Sequence, residues 1–245
     1  MIEICCGSYE DAYCAYHGGA KQIELNSALY LGGLTPSIAS LVLTKQNTDL
    51  KVICMTRPRG AGFCYTSKEF EQIMEEAKSL LEHGADGIVF GFLLPDYSID
   101  IERTKKMISL IKLYQKDVVF HRAFDCVEDP IESMKTLISL GVDRVLTSGL
   151  QSTALEGKEM LKRLEKEFGK DIEILAGSGL NDTNIKEFMQ YTSIHKIHSS
   201  CKRYREDITT SGTYVNYCYG IDSHKNDYEY VSEEAVEKLV QEYER

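Results

Sequence analysis

Residues 141–147 read GVDRVLT: a glycine suited to the left-handed position after a helix, an apolar residue, a charge, and then a strand-like run. The same arrangement occurs at residues 19–25, which read GAKQIEL, and at residues 84–90, which read GADGIVF. Each stretch is typical of a helix that ends and passes directly into a strand. The use of this joint three times in one chain predicts a repeated unit of strand and helix.

Strand candidates recur along the chain at a mean interval of about 28 residues. They begin near Ile2, Gln22, Val52, Gly87, Val118, Arg144, Glu173 and Lys196. Helix-start signals fill the gaps, for example Thr66 three residues before Glu69 and Asp129 directly before Pro130. Eight such units in 245 residues predict an α/β fold, a single (β/α)8 TIM barrel, with an open eight-stranded α/β sheet as the alternative.

The end of the chain departs from this repeat. Residues 202–230 are too many for an ordinary connection, and we expect them to form a loop or lid after strand eight. Ser232 precedes a helical pattern, so residues 232–244 are predicted to be the last helix. The expected organisation is one TIM-barrel domain over residues 1–245.

Composition limits the partners. The hydrophobic content of 43% is enough for a sizeable core, and the net charge of -10 repels nucleic acid and anionic lipid. No apolar run approaches the roughly 18 residues of a membrane span, and the opening residues MIEICCGSYEDAY lack the pattern of a signal peptide. We therefore expect a soluble, cytoplasmic protein with no nucleic-acid or membrane partner, whose eight cysteines are free thiols.

Two carboxylates are predicted to point into the barrel. Side chains alternate along a strand, so if Ile2 and Ile4 face the helices, Glu3 and Cys5 face inward. The same alternation at residues 22–26 turns Glu24 and Asn26 inward. Carboxylates are costly to bury unpaired, so we expect cations nearby.

Cationic and imidazole side chains stand at or just beyond several strand ends. They are Arg57, Arg59, His121, Arg122 and His198. The carboxyl ends of parallel barrel strands share one face, and such barrels keep their active sites there. We therefore expect these residues to meet in space.

Two interpretations of this face remain open. In the structural one, Glu3 and Glu24 pair with Arg57 and Arg122. In the functional one, the face binds a small anionic or phosphorylated metabolite and a carboxylate or histidine transfers a proton, with Glu3, Glu24, His121, Asp125 and His198 as candidate catalytic residues. The candidate anion-binding residues are the arginines and the small turns after strands six to eight, Arg57, Arg59, Arg122, Ser148, Gly149, Gly177, Ser178, Gly179 and Ser199, although glycines at such turns also serve geometry alone.

The motifs of several common enzyme classes are missing from the sequence. It contains no P-loop, no Gly-x-Gly-x-x-Gly fingerprint, no His-Glu-x-x-His helix and no nucleophile elbow. No organic cofactor is therefore indicated. No Cys-x-x-Cys pair suggests structural zinc either.

The cysteines allow a metal hypothesis. A closed barrel places strand eight beside strand one, which would bring His198 and Cys201 towards Cys5 and Cys6. Soft thiolates with an imidazole would suit Cu(I), so the candidate metal ligands are Cys5, Cys6 and Cys201. The alternative is that all eight cysteines are packing residues or incidental thiols.

Six ordered stretches carry a resemblance to a known family. They are IEICC at Ile2, GGLTPS at Gly32, RPRGAGFCY at Arg57, FHRAFD at Phe120, RVLTSG at Arg144 and HSS at His198. Over about residues 1–201 the chain resembles the CutC family of copper homeostasis proteins, which are (β/α)8 barrels. The resemblance implies a cytoplasmic location, a role in handling copper and self-association as a dimer or higher homo-oligomer, but no defined reaction.

The resemblance also implies where copper would be bound. The family points to cysteines at the ends of strands one and two. Cys5 fits the first position, whereas the second is Asn26 in this chain. A two-cysteine copper site would therefore need Cys6 or Cys201 as a substitute.

Overall fold

The structure, a computed structural model, describes residues 1–218 and 222–245. Eight parallel strands close into a barrel in chain order, with β8 hydrogen-bonded to β1. The strands are β1 (Ile2–Cys6), β2 (Gln22–Leu25), β3 (Lys51–Met55), β4 (Gly87–Phe90), β5 (Asp117–Phe120), β6 (Arg144–Thr147), β7 (Glu173–Ala176) and β8 (Ile197–Ser199). The predicted (β/α)8 barrel is confirmed, and the open sheet is excluded.

Helices connect the strands and form the outer layer. They are α1 (Tyr9–His17), α2 (Ile38–Asn47), α3 (Ser67–Glu82), α4 (Ile101–Leu113), α5 (Pro130–Leu140), α6 (Lys158–Phe168), α7 (Ile185–Thr192) and α8 (Glu233–Glu244). Their starts follow local chemistry. Thr66 and Glu69 form a capping box at α3, and Asp129 caps α5, whose first residue is a proline. Gly141 ends α5 at φ 83°, the left-handed conformation that the opening joint requires.

The segment after β8 contains regular structure that the sequence prediction missed. The predicted loop, residues 202–230, begins and ends in strands. β9 (Lys202–Glu206) and β10 (Asp227–Val231, one residue beyond the predicted loop) pair antiparallel as a separate two-stranded sheet. Residues 219–221 of that predicted loop lie outside the described residues. β9 is exposed along its whole length, so it lacks the apolar alternation that identifies a strand in sequence, whereas β10 is mostly half-buried.

The barrel interior has an apolar side and a polar side. Apolar side chains from β3, β4 and β5 form a small inner cluster of Ile53, Met55, Val89 and Val119. Polar side chains from β1, β2, β6 and β8, namely Glu3, Gln22, Glu24, Arg144 and His198, are all buried. The main core lies between the strands and the helices. Among the described helices, none has the length and apolar character needed to cross a membrane.

Candidate functional site

Glu3 is the centre of the polar side of the barrel. Its Oε1 lies 2.8 Å from Nδ1 of His198, and its Oε2 accepts a hydrogen bond of 2.5 Å from Nε2 of Gln22. Arg144 Nη1 lies 4.0 Å away. Burial alone would raise the pKa of Glu3, but the hydrogen bond and charge of His198, with Arg144 and Gln22, bring it below its usual value. Glu3 is therefore a buried carboxylate.

His198 is the cation that pairs with it. Burial would lower the pKa of His198, but hydrogen bonds with Cys5 and Glu3 and the charge of Glu24 raise it well above the usual value. The imidazole is held between Glu3 on one side and Cys5 on the other. Adjacent strands produce this arrangement, because β8 pairs with β1 in the register that sets His198 beside Glu3.

Cys5, Glu24 and His198 converge on one point. One ligand atom from each, the thiol sulfur, a carboxylate oxygen and an imidazole nitrogen, lies within 4.8 Å of the others. Asn26 supports the group, since its Nδ2 donates to Glu24 Oε1 at 2.9 Å and lies 3.6 Å from Cys5 Sγ. Burial raises the pKa of Cys5 and of Glu24. We call these three residues the Cys5 cluster.

The Cys5 cluster opens into a cavity at the carboxyl ends of the strands. Its volume is about 340 Å³. Cys5, Glu24 and His198 line one part, and Met55, Phe63, His121 and Leu146 line another. We call it the mouth cavity. A larger depression of about 1030 Å³ lies between the starts of α4 and α5 and contains none of the predicted site residues.

His121 reaches the mouth cavity from the end of β5. Its Nδ1 accepts a hydrogen bond of 3.0 Å from the backbone N–H of Ala123. Ala123 lies in a short 3₁₀ helix at Arg122–Cys126, which His121 caps. The ring lies 4.8 Å from the ring of Phe63. Burial and the nearby charge of Arg57 lower the pKa of His121 to about 3. His121 is therefore a neutral imidazole.

The predicted pairing of Glu3 and Glu24 with Arg57 and Arg122 is wrong. Arg57 donates instead to the carbonyls of Leu31, Gly33 and Ala61. Arg122 Nε lies 2.7 Å from Asp125 Oδ2, in another sector of the face. Arg59 turns outward and forms an ion pair with Glu69. The same carboxylate accepts a hydrogen bond from the backbone N–H of Thr66 at the start of α3. The inner carboxylates are balanced by His198 and Arg144.

Asp125 holds the loop after β6. It accepts hydrogen bonds from Thr147 Oγ1 at 2.5 Å and from the N–H groups of Ser148 and Leu150. Arg122 Nη2 also donates to Ser148 Oγ at 2.7 Å. The structure therefore does not bring Asp125 to the Cys5 cluster. Ser148 is hydrogen-bonded to Asp125 and Arg122 within this loop.

The small residues of the predicted anion site are divided. Ser178, Gly179 and Ser199 line the mouth cavity. The backbone N–H groups of Gly149 and Gly177 donate hydrogen bonds to Thr147. These donors therefore face the barrel wall rather than a ligand. Of the predicted anion-binding residues, Arg122 also borders the cavity.

Cys6 and Cys201 are not among the three converging ligands. Cys6 follows Cys5 in an extended strand, so its side chain turns to the opposite face and packs in the main core. Cys201 follows β8 with φ 43°, and its Sγ lies 3.7 Å from Ser199 Oγ. Of the predicted metal ligands, Cys5 therefore lies in the Cys5 cluster, together with His198, the imidazole of the Cu(I) hypothesis, and Glu24, which had been considered for proton transfer.

Two residues of the polar interior were missed from the sequence. Gln22 and Arg144 both contact Glu3 from the opening residues of β2 and β6. The alternation that turned Glu24 inward also turns Gln22 inward, so the signal was available. Both residues open their strands, at the end of the barrel opposite to the one where barrel chemistry is usually found.

Fold and site together define a class: a (β/α)8 barrel with a half-buried thiol, a buried imidazole and a buried carboxylate at the carboxyl-end face. Within that class, the chain belongs to the CutC family, whose sequence model matches residues 1–203. The matched region ends inside β9.

Known relatives agree with this assignment. A family protein CutC of Treponema denticola is 46% identical over 209 residues, covering 85% of this chain and 84% of that protein. The human copper homeostasis protein cutC homolog is 39% identical over 206 residues, covering 84% of this chain and 75% of that protein. The crystal structure of the putative copper homeostasis protein CutC from Streptococcus agalactiae superposes with a TM-score of 0.77 at 27% identity, over 82% of this chain and 98% of that one.

Proposed function

We propose that this protein acts in copper homeostasis and binds a copper ion at the Cys5 cluster. The family membership supports the first part, since relatives carry the name copper homeostasis protein. One observation carries the second: the ligand atoms of Cys5, His198 and Glu24 lie within 4.8 Å of one another. Thiolate and imidazole are ligands that suit Cu(I).

The hydrogen bond to Glu3 favours this role for His198. A metal-binding histidine commonly donates its second ring N–H to a carboxylate, which fixes the ring and raises its basicity. Glu3 Oε1 is in place for this at 2.8 Å from Nδ1. Copper would displace the proton of the Cys5 thiol and one proton of His198, so its affinity should increase with pH.

The alternative function receives less support. In it, the protein is an enzyme that acts on a small anionic or phosphorylated metabolite and binds this substrate with its arginines. Arg57 and Arg59 are engaged by carbonyls and by Glu69, and Arg122 is paired with Asp125. Copper is therefore the ligand that the Cys5 cluster favours. A cytoplasmic location and a homo-oligomer, dimer or higher, remain part of the proposal on the strength of the family, and sedimentation of the purified protein tests the second.

Replacing Cys5 should weaken copper binding. We expect Cys5→Ala to lower Cu(I) affinity by more than about a hundredfold, and Glu3→Gln by about ten- to a hundredfold through His198. A competition titration against a chromophoric Cu(I) chelator without oxygen measures both. Cys201→Ala is the matched control, a buried cysteine outside the Cys5 cluster, and should bind like wild type. Equal affinities of wild type and Cys5→Ala would refute the site.

Asn26 offers a test in the opposite direction. Its side chain already lies 3.6 Å from Cys5 Sγ, at the position where the family resemblance implies a second cysteine. Asn26→Cys should therefore raise Cu(I) affinity by about tenfold, because a second soft thiolate joins the first. Asn26→Ser, which supplies no soft ligand, is the control. The same titration would contradict the proposal if the cysteine and serine variants bound copper equally.

A further inference from the structure

The hydrogen bond to Nδ1 determines which nitrogen of His121 can donate. Since Nδ1 accepts the hydrogen bond from Ala123 N–H, the proton of the neutral ring is on Nε2. Packing holds the ring as well: a Cβ at Gly91 would lie 2.5 Å from Cε1 and 2.6 Å from Nδ1, so only glycine leaves room for it. Phe63 lies against the ring at 4.8 Å. These contacts pack the ring in the orientation in which Nδ1 accepts the hydrogen bond from Ala123.

This Nε2–H group has no hydrogen-bond partner among residues 1–218 and 222–245. His121 is only 3% exposed, and it lines the mouth cavity. Buried polar groups are nearly always satisfied, and an exception in a cavity indicates a group that a ligand completes. The donor thus needs an acceptor that the described part of the chain does not supply.

The charge behind His121 indicates what kind of acceptor this is. Arg57 is buried, its guanidinium is held by backbone carbonyls, and no carboxylate among the described residues forms an ion pair with it. Its positive charge acts on His121. A buried positive charge beside an unpaired donor favours an anionic oxygen. Glu24 lines the same cavity, where it accepts a hydrogen bond from Asn26, and Glu229 at the cavity is paired with Lys202.

We propose that the mouth cavity binds a small organic acid, with a carboxylate oxygen accepting the Nε2–H of His121. The apolar wall of Met55, Phe63 and Leu146 would hold the short hydrocarbon part of the acid. The cavity of about 340 Å³ has the size of a small-molecule site. This inference does not depend on copper, because His121 is outside the Cys5 cluster.

The test uses the metal-free full chain and isovalerate as the probe, a carboxylate with a branched apolar body. In long-range ¹H–¹⁵N spectra of protein labelled at histidine, free His121 should show a protonated Nε2 and a bare Nδ1. Isovalerate should shift the Nε2–H resonance downfield in a saturable way. The neutral alcohol 3-methylbutan-1-ol, which has the same skeleton, should bind at least about tenfold more weakly, because the hydrogen bond to a charged acceptor is lost.

Two variants separate the two nitrogens of His121. Asparagine places an acceptor where Nδ1 was, so His121→Asn keeps the bond to Ala123 and loses the donor. Glutamine places a donor near Nε2, so His121→Gln keeps the ligand contact and loses the cap. We expect His121→Asn to weaken isovalerate binding by about ten- to a hundredfold, and His121→Gln to stay within a few fold of wild type.

The outcomes are distinct. No shift of Nε2–H even at high millimolar isovalerate, equal binding of the alcohol, or wild-type affinity in His121→Asn would each overturn the proposal, as would a response to inorganic phosphate alone. His121→Asn should also keep wild-type Cu(I) affinity, because His121 is not a ligand of the cluster. Loss of the acid site and loss of the copper site are therefore recognised independently.

Discussion

Glu3→Gln is expected to lower the free energy of unfolding by about 3 to 5 kcal/mol, the range for breaking a buried ion pair from one side. The carboxylate is 1% exposed and balances His198 directly. It also lies 4.0 Å from Arg144 Nη1, which has no hydrogen-bond partner among the described residues. Glutamine keeps the shape and removes the charge, so the buried imidazole of His198 loses its directly bonded counterion, whereas Arg144 keeps its ion pair with Glu173. Urea unfolding of the metal-free protein near pH 6 measures the loss.

A double-mutant cycle isolates the pair. If Glu3 and His198 stabilise each other, Glu3→Gln combined with His198→Gln should cost clearly less than the two single changes added together. Glu71→Gln is the matched control, since it removes an exposed ion pair with Lys68 on α3 and should cost less than about 1 kcal/mol. A Glu3→Gln protein as stable as Glu71→Gln would show that the polar interior does not depend on Glu3.

The fold could be predicted because its signals are local. A capping box needs Thr66 and Glu69 three residues apart, and a left-handed Gly141 follows the helix that it ends. Both are read within a few residues of sequence, and their repetition at a regular interval is enough to indicate a barrel. β9 could not be predicted in this way, because a strand exposed on both faces has no apolar alternation.

The site could be predicted as a set of residues but not as a set of contacts. Alternation along β1 and β2 turns Cys5, Glu3 and Glu24 inward, and the structure buries both carboxylates. Alternation does not say which neighbour a long side chain reaches. Arg57 meets backbone carbonyls of loops rather than a carboxylate, and every residue has such a carbonyl, so no residue type marks these partners.

Acid should destabilise the protein through His121 more than through an ordinary histidine. Its pKa is about 3 in the folded chain, below the value of about 6.5 for an unfolded histidine. Between those values the unfolded chain binds a proton that the folded chain does not, so the free energy of unfolding falls as pH falls. The stability that His121 contributes is present above about pH 6.5 and is lost towards pH 3. From pH 6 to pH 4 the loss should be about 2 to 3 kcal/mol.

The comparison with His121→Asn identifies the group responsible. Other groups also titrate in acid, and Glu3, with its lowered pKa, acts in the same direction. These groups are present in both proteins and cancel in the difference between the two unfolding free energies, whereas His121 does not. Asparagine has no proton to gain and keeps the cap of the 3₁₀ helix, so the variant should lose less stability between pH 6 and pH 4 by the same 2 to 3 kcal/mol. Urea unfolding at several pH values gives both curves. Parallel curves would mean that His121 is protonated in the folded protein as readily as in the unfolded one, and burial would then not hold its ring neutral in acid.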